Sequence, residues 1–133
     1  MPSGMGDNEY LRVFRDVIVP AAVEFGPDLV LVSAGFDAHV DDPLGGMNVT
    51  CEGFSAMAQE LLEVAARTCG GKAVFVLEGG YDLVALEKSV VSVLEVMSGE
   101  RRPSSTELGG VADDLVREVR ETHGPYWSAL KER

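Results

Sequence analysis

The stretch Ser33 to Gly46, SAGFDAHVDDPLGG, gathers Asp37, Asp41, Asp42 and His39, one of only two histidines in the chain. Carboxylates and an imidazole are the groups that ligate borderline cations and move protons near neutral pH. Asp37-Ala38-His39 has the i, i+2 spacing that puts two side chains on one face of an extended chain, as a chelate would need. A zinc chelate also needs a third protein ligand, and the other histidine, His123, lies in the polar C-terminal region. An aspartate in such a loop serves equally as a cap or a solvated group, and spacing does not decide between these roles. Asp41 and Asp42, directly before Pro43, have the form of turn residues.

A second group of interest is LEGGYD, Leu77 to Asp82. Gly79 and Gly80 would let backbone approach a ligand closely, and the Tyr81 phenol can donate a hydrogen bond to a developing oxyanion. A tyrosine at such a place also serves packing or an interface. The two glycines are far from a dinucleotide fingerprint or a phosphate loop, so a small nucleotide-binding domain ranks last among the readings.

Both groups follow apolar runs. Leu29 to Ser33 is a continuous β-branched and leucine run of the kind a parallel strand buried on both faces shows, and Ala73 to Leu77 is a second. Between them Phe54, Met57, Ala58, Leu61, Leu62 and Ala65 recur at helical spacing up to Gly70-Gly71. Upstream, Leu11, Phe14, Ile18, Ala21 and Phe25 predict a helix capped by Asp7-Asn8 and bent at Pro20. Downstream, Leu83, Leu86, Val90, Val93, Leu94 and Met97 predict one apolar helix face. The stretch Ser98 to Ser105 breaks that helix. Val111, Leu115 and Val119 suggest a last, weaker helix, and a PYWSAL segment read as mobile closes the chain. Strand, helix, strand with a short crossover calls for two parallel strands whose carboxyl ends bring Asp37 and Tyr81 together. Two strands this apolar expect neighbours and helices on both faces, and no third strand is evident.

At 133 residues and 46% hydrophobic content the chain fits one globular domain. Its 22 acidic against 11 basic residues give a formal charge of −11, which repels a nucleic-acid backbone. No apolar run approaches the ~20 residues of a membrane span, and the expected location is cytoplasmic. Cys51 and Cys69 bracket one helix, so their separation of roughly 27 Å rules out a disulfide between them.

Together the two loops, in this order and separation, resemble the carboxyl-terminal portion of the histone deacetylase and acetylpolyamine amidohydrolase superfamily, bacterial members included. The resemblance rests on SAGFDAHVDDPLGG, on Asn48 and Thr50 followed by Gly53 and Phe54, and on VLEGGYDL; GDNEY and PYW support it near the two ends. It implies a three-layer arginase/deacetylase-like α/β fold, here a partial parallel sheet with flanking helices. It also implies zinc-dependent hydrolysis of acetyl-lysine or acetylpolyamine amides, in which the metal polarises the carbonyl and activates water. By motif, Asp37 resembles one of the two aspartate zinc ligands and Tyr81 the tyrosine that hydrogen-bonds the oxyanion. Leu44 resembles the apolar residue lining the acyl-lysine channel, Gly79 and Gly80 the backbone wall near the metal, and His39 is not a ligand.

The superfamily's remaining ligands come from an upstream Asp-x-His motif, and its acid and base from two adjacent histidines; no Asp-x-His precedes Asp37 here, and no two histidines are adjacent. The chain is therefore expected to be one carboxyl-terminal segment of such a catalytic domain, with residues 1–99 as α/β core and 100–133 as C-terminal helix and tail. It is expected to be inactive alone and to self-associate or join a complementing chain. The alternative is a non-catalytic oligomerising or partner-binding module derived from the same family.

Overall fold

The two unbroken apolar runs both form strands, as β-branched and large apolar side chains favour. In the computed structural model, which describes residues 1–103 and 112–131, the helices are α1 (Asp7–Val13), α2 (Val19–Phe25), α3 (Cys51–Cys69), α4 (Leu83–Ser98) and α5 (Asp113–His123). The strands are β1 (Val30–Gly35) and β2 (Ala73–Gly79), each running further toward its loop than the apolar run alone suggests. They pair in parallel, Val30 opposite Ala73 and Ala34 opposite Leu77, and Glu78 bulges out before Gly35 meets Gly79. The α/β architecture, with a partial parallel sheet and flanking helices, is as expected.

Helices cover one face of this sheet. Ala34 and Phe75 pack against a core of Leu11, Phe36, Val49, Phe54, Met57 and Val93 drawn from α1, α3, α4 and the intervening loop. On the other face Leu31 is 68% exposed, and Val74 and Val76 are exposed with it. Strands whose composition asks for cover on both sides thus have it on one. Each strand also has a free edge among the described residues. The exposed apolar side chains of this face thus lie beside unpaired strand edges.

The first helix is not capped as its sequence suggests. Gly6 is its N-cap, and Asp7 instead sends its carboxylate across to α3, accepting from the Thr50 N–H at 2.7 Å and the Thr50 hydroxyl at 2.6 Å. Thr50 in turn caps α3 by accepting from the Gly53 N–H at 3.3 Å. A side chain at Gly53 would sit 2.0 Å from Asp7 Oδ1 and would displace that carboxylate from its place against Thr50. The irregularity expected at Pro20 takes the form of a π-helical turn over Phe14–Ile18. Proline has no N–H to return to the Asp16 carbonyl, and that oxygen accepts from the Arg120 guanidinium of α5 at 3.3 Å instead.

Two expectations are corrected in the second half. Along α4 the fully covered residues are Ala85, Ser89, Ser92, Val93 and Val96, while Leu83, Leu94 and Met97 are exposed. Among these small residues Ser89 meets α3, its hydroxyl donating to Cys51 Sγ at 3.4 Å, and the predicted apolar face is only half used. The PYWSAL segment is not loose. Ser128–Leu130 forms a 3₁₀ turn that buries Leu130, and the Glu24 carboxylate accepts from the Ser128 and Ala129 N–H groups at 3.0 and 2.6 Å. Leu115 and Val119 lie on α5, whose buried residue is Val116; Val111, Ser104 and Ser105 fall outside the described residues.

Candidate functional site

Both loops leave the carboxyl ends of β1 and β2 side by side. Past the bulge, the Phe36 N–H donates to the Gly79 carbonyl at 2.8 Å, extending the ladder to the start of the loop. Phe36 is buried against Phe54, ring centroids 5.0 Å apart and tilted by 60°, which anchors the strand end in the core. Asp37 is the next residue, and it is exposed. The loop returns to it at Gly45, where an added Cβ would lie 1.6 Å from the Asp37 carbonyl oxygen. Nothing but glycine fits there, so Gly45 fixes the backbone from which the Asp37 carboxylate projects.

Asp42, read from sequence only as a turn residue, is 9% exposed and joins the two loops. Its Oδ1 accepts from the Leu44 and Gly45 N–H groups at 2.8 and 3.1 Å, which is the turn role expected. Its Oδ2 reaches the other strand's loop and accepts from the Tyr81 N–H at 2.7 Å. Desolvation pushes this carboxyl up, but the N–H groups of Tyr81, Leu44, Gly45 and Asp82 more than offset it and hold it below the usual carboxylate range. Two adjacent aspartates before a proline carry no mark of which one turns inward. Asp41 stays outside, and its N–H donates to His39 Nδ1 at 3.1 Å.

Leu44 is 70% exposed and Tyr81 60% exposed, so a leucine and a phenol stand free above the same strand ends. Gly80 has φ +146°, a conformation that side chains rarely adopt, and a Cβ there would come within 3.0 Å of Leu86. No atom lies within 4 Å of a Cβ added at Gly79. Asp82 closes the motif by capping α4, accepting from the Ala85 N–H at 2.7 Å.

His39 belongs to the core. It is buried and near parallel to Phe54, with Nε2 lying 3.5 Å from Cys51 Sγ. Accepting from Asp41 at Nδ1 leaves the proton on Nε2, facing the sulfur. The Asp37-Ala38-His39 chelate therefore does not form, and His123, at the exposed end of α5, does not join the loops.

An open groove of about 300 Å³ begins at Asp37 and runs over Tyr10, Phe14, Phe54, Met57 and Phe75. Burial, and then the charge of Asp37, push the Tyr10 phenol above its ordinary value. Zinc requires at least three protein ligands, and among the described residues no three His, Cys, Asp or Glu side chains gather to hold a metal. Asp37 could supply one ligand; the donors among the described residues do not make a zinc centre by themselves.

The sequence profile of the histone deacetylase domain matches residues 1–97. Histone deacetylase 6 of Caenorhabditis elegans is 42% identical over 96% of this chain and 14% of its own length. Histone deacetylase 15 of Arabidopsis thaliana is 45% identical over 96% of the chain and 23% of its own. Polyamine deacetylase HDAC10 of Mus musculus is 41% identical over 97% of the chain and 19% of its own. The chain thus spans less than a third of the length of these relatives. Among solved structures, the HDA15 HD domain superposes with a TM-score of 0.84 at 37% identity, over 97% of this chain and 34% of that one. The histone deacetylase Clr3 does so with a TM-score of 0.87 at 33% identity, over 98% of this chain and 22% of that one. With both characteristic loops placed at the ends of two paired strands, the chain belongs to the histone deacetylase domain family.

Proposed function

We propose that this chain is the carboxyl-terminal part of a zinc-dependent deacetylase catalytic domain, and that it contributes Asp37 as a metal ligand and Tyr81 as an oxyanion donor to a site completed by residues outside this sequence. The observation that carries this reading is the convergence of the Asp37 and Tyr81 loops on one end of a parallel strand pair, joined through Asp42. Leu44 then stands where an acyl-lysine or acylpolyamine stem would pass, and Gly79 and Gly80 form the backbone wall beside it. The metal would be held jointly, and the polypeptide alone is expected neither to hold stoichiometric zinc nor to hydrolyse acetyl-lysine.

Co-expression with the segment that precedes the matched region in the Arabidopsis relative tests this. Expected are stoichiometric zinc by elemental analysis and hydrolysis of an acetyl-lysine peptide or an acetylpolyamine. Asp37→Ala should abolish zinc retention, and Tyr81→Phe should cost about a hundredfold or more in kcat with zinc retained. Chelator-sensitive turnover by the chain alone would refute the reading.

A second reading, a non-catalytic module derived from the same family, is favoured by the bare sheet face and its free edges. It predicts a defined homo-oligomer by light scattering and no gain of activity on complementation. Coding sequence immediately upstream also separates the two, because an Asp-x-Asp-x-His motif there favours the catalytic reading.

A further inference from the structure

The two loops of the candidate site could each be held only by its own strand, but they are tied directly to each other. Oδ2 of Asp42 accepts from the Tyr81 N–H at 2.7 Å, across a sequence separation of 39. Oδ1 accepts from Leu44 and Gly45, and Gly45 lies against the Asp37 carbonyl at a distance that excludes any side chain. A single carboxylate therefore bonds to the backbone of both loops at once. The bulge at Glu78 supplies the slack, because the strand register slips there and frees Gly79 to Tyr81 to turn toward the β1 loop. Gly80, at φ +146°, completes that turn.

We propose that Asp42 is a positioning residue that locks the Tyr81 backbone to the Asp37 loop, so that the two candidate site residues are carried as one rigid unit. The functional meaning rests on the deacetylase reading; the mechanical link does not. A carboxylate suits this task better than a neutral acceptor because each oxygen accepts without donating, and charge-assisted bonds are shorter and stronger than neutral ones. The three N–H groups also satisfy a carboxylate that is almost fully covered, which would be unfavourable without them. Neither Asp37 nor Tyr81 touches the other's loop through its own side chain in any hydrogen bond among the described residues.

The test uses the full chain, labelled with ¹⁵N and ¹³C, and reads hydrogen bonds rather than activity. A scalar correlation from the Tyr81 amide nitrogen to the Asp42 carboxyl carbon is expected, with Tyr81 amide exchange slowed about tenfold or more. Asp42→Asn keeps one oxygen for Leu44 and Gly45 but turns an NH₂ toward Tyr81. Exchange at Tyr81 should then accelerate about tenfold, with Leu44 and Gly45 still protected and the core amides of Leu11 and Val49 unchanged. Equal acceleration at every amide would overturn the proposal, since Asp42 would then be a general stabiliser. Unchanged Tyr81 exchange in the variant would overturn it too. If Asp42→Asn does not fold, the wild-type correlation decides: its presence supports the link and its absence refutes it. Failure of complementation to give a deacetylase, with this correlation present, would refute the functional reading and leave the link standing.

Discussion

Gly45→Ala is the sharpest perturbation of the candidate site. The new methyl carbon would lie 1.6 Å from the Asp37 carbonyl oxygen and 2.6 Å from the carbonyl carbon, whereas real Cβ contacts essentially never fall below 3.0 Å. The two backbone segments must therefore separate by about 1.5 Å, and no flexible side chain is available to absorb the movement. Overpacking of this kind costs about 1–3 kcal/mol, and a clash against backbone belongs near the top of that range. With a urea dependence of about 1–2 kcal/mol/M for a chain this size, the unfolding midpoint should fall by about 1 M or more. Gly79→Ala is the control, since no atom lies within 4 Å of its Cβ and its backbone is not left-handed. It should stay within about 0.5 kcal/mol of wild type. Equilibrium urea unfolding followed by circular dichroism measures both. Amide chemical shifts should show the Gly45→Ala displacement centred on Asp37, Asp42 and Tyr81. A Gly45→Ala chain as stable as wild type, or a Gly79→Ala chain equally damaged, would refute the argument that close backbone approach sets the site.

Leu11, fully buried where α1 meets the core, should lose about 2–5 kcal/mol as Leu11→Ala, read as a lower thermal or urea midpoint. Glu24 gives a pH test: the N–H groups of Ala129 and then Ser128 hold its carboxyl below the ordinary value. A folded pKa lowered in this way contributes stability that is present above the unfolded value of about 4.3 and is lost as pH falls through the folded one. The gap in urea midpoint between wild type and Glu24→Gln should therefore be constant from neutral pH down to about 5 and shrink below about 4. On the bare sheet face, Leu31→Glu with Val76→Glu should reduce self-association in sedimentation velocity and leave far-ultraviolet circular dichroism unchanged. Identical sedimentation of the two chains would show that this face is not the contact.

Local pattern makes most of the fold legible: the recurrence from Phe54 to Ala65 is helical by its period, and Leu29 to Ser33 is a strand by its shortness, its β-branched content and the Gly26-Pro27 before it. What it misses are residues whose role depends on a distant partner. Asp7 has the chemistry of an N-cap and sits where one is wanted, yet Gly6 takes that place and Asp7 serves Thr50, more than forty positions away. Asp42 is legible as a turn residue through its bonds to Leu44 and Gly45, and illegible as a bridge through its bond to Tyr81. Sequence marks α4 as an apolar face, but the helix buries Ala85, Ser89 and Ser92 beside Val93 and Val96 and leaves Leu83, Leu94 and Met97 exposed. For the site itself, spacing alone leaves Asp37 and His39 as a possible chelate. Burial of His39 between Asp41, Cys51 and Phe54 decides the matter in favour of the core.

If the proposed deacetylase reading holds, the arrangement would let this chain's part of the site hold its form before the rest is added. A loop poised to bind metal usually depends on the metal to order it, since like charges and uncovered carbonyls otherwise push it open. Among the described residues the one nearly buried carboxylate, Asp42, is satisfied by backbone N–H groups of its own chain, while Asp37 stands exposed. The glycine at 45 removes the steric obstacle to closing the loop, and the bulge at Glu78 removes the geometric one. What the sheet face leaves uncovered is apolar, Leu31, Val74 and Val76, with Leu44 above the strand ends. Apolar surface is non-directional and tolerates a late partner, whereas an unpaired buried polar group does not. A preformed loop pair on a sheet with one bare face is therefore suited to docking against a second surface with little rearrangement of Asp37 and Tyr81. This order of events predicts that complementation changes the amide spectrum of β1 and β2 far more than that of Asp42, Gly45 and Tyr81.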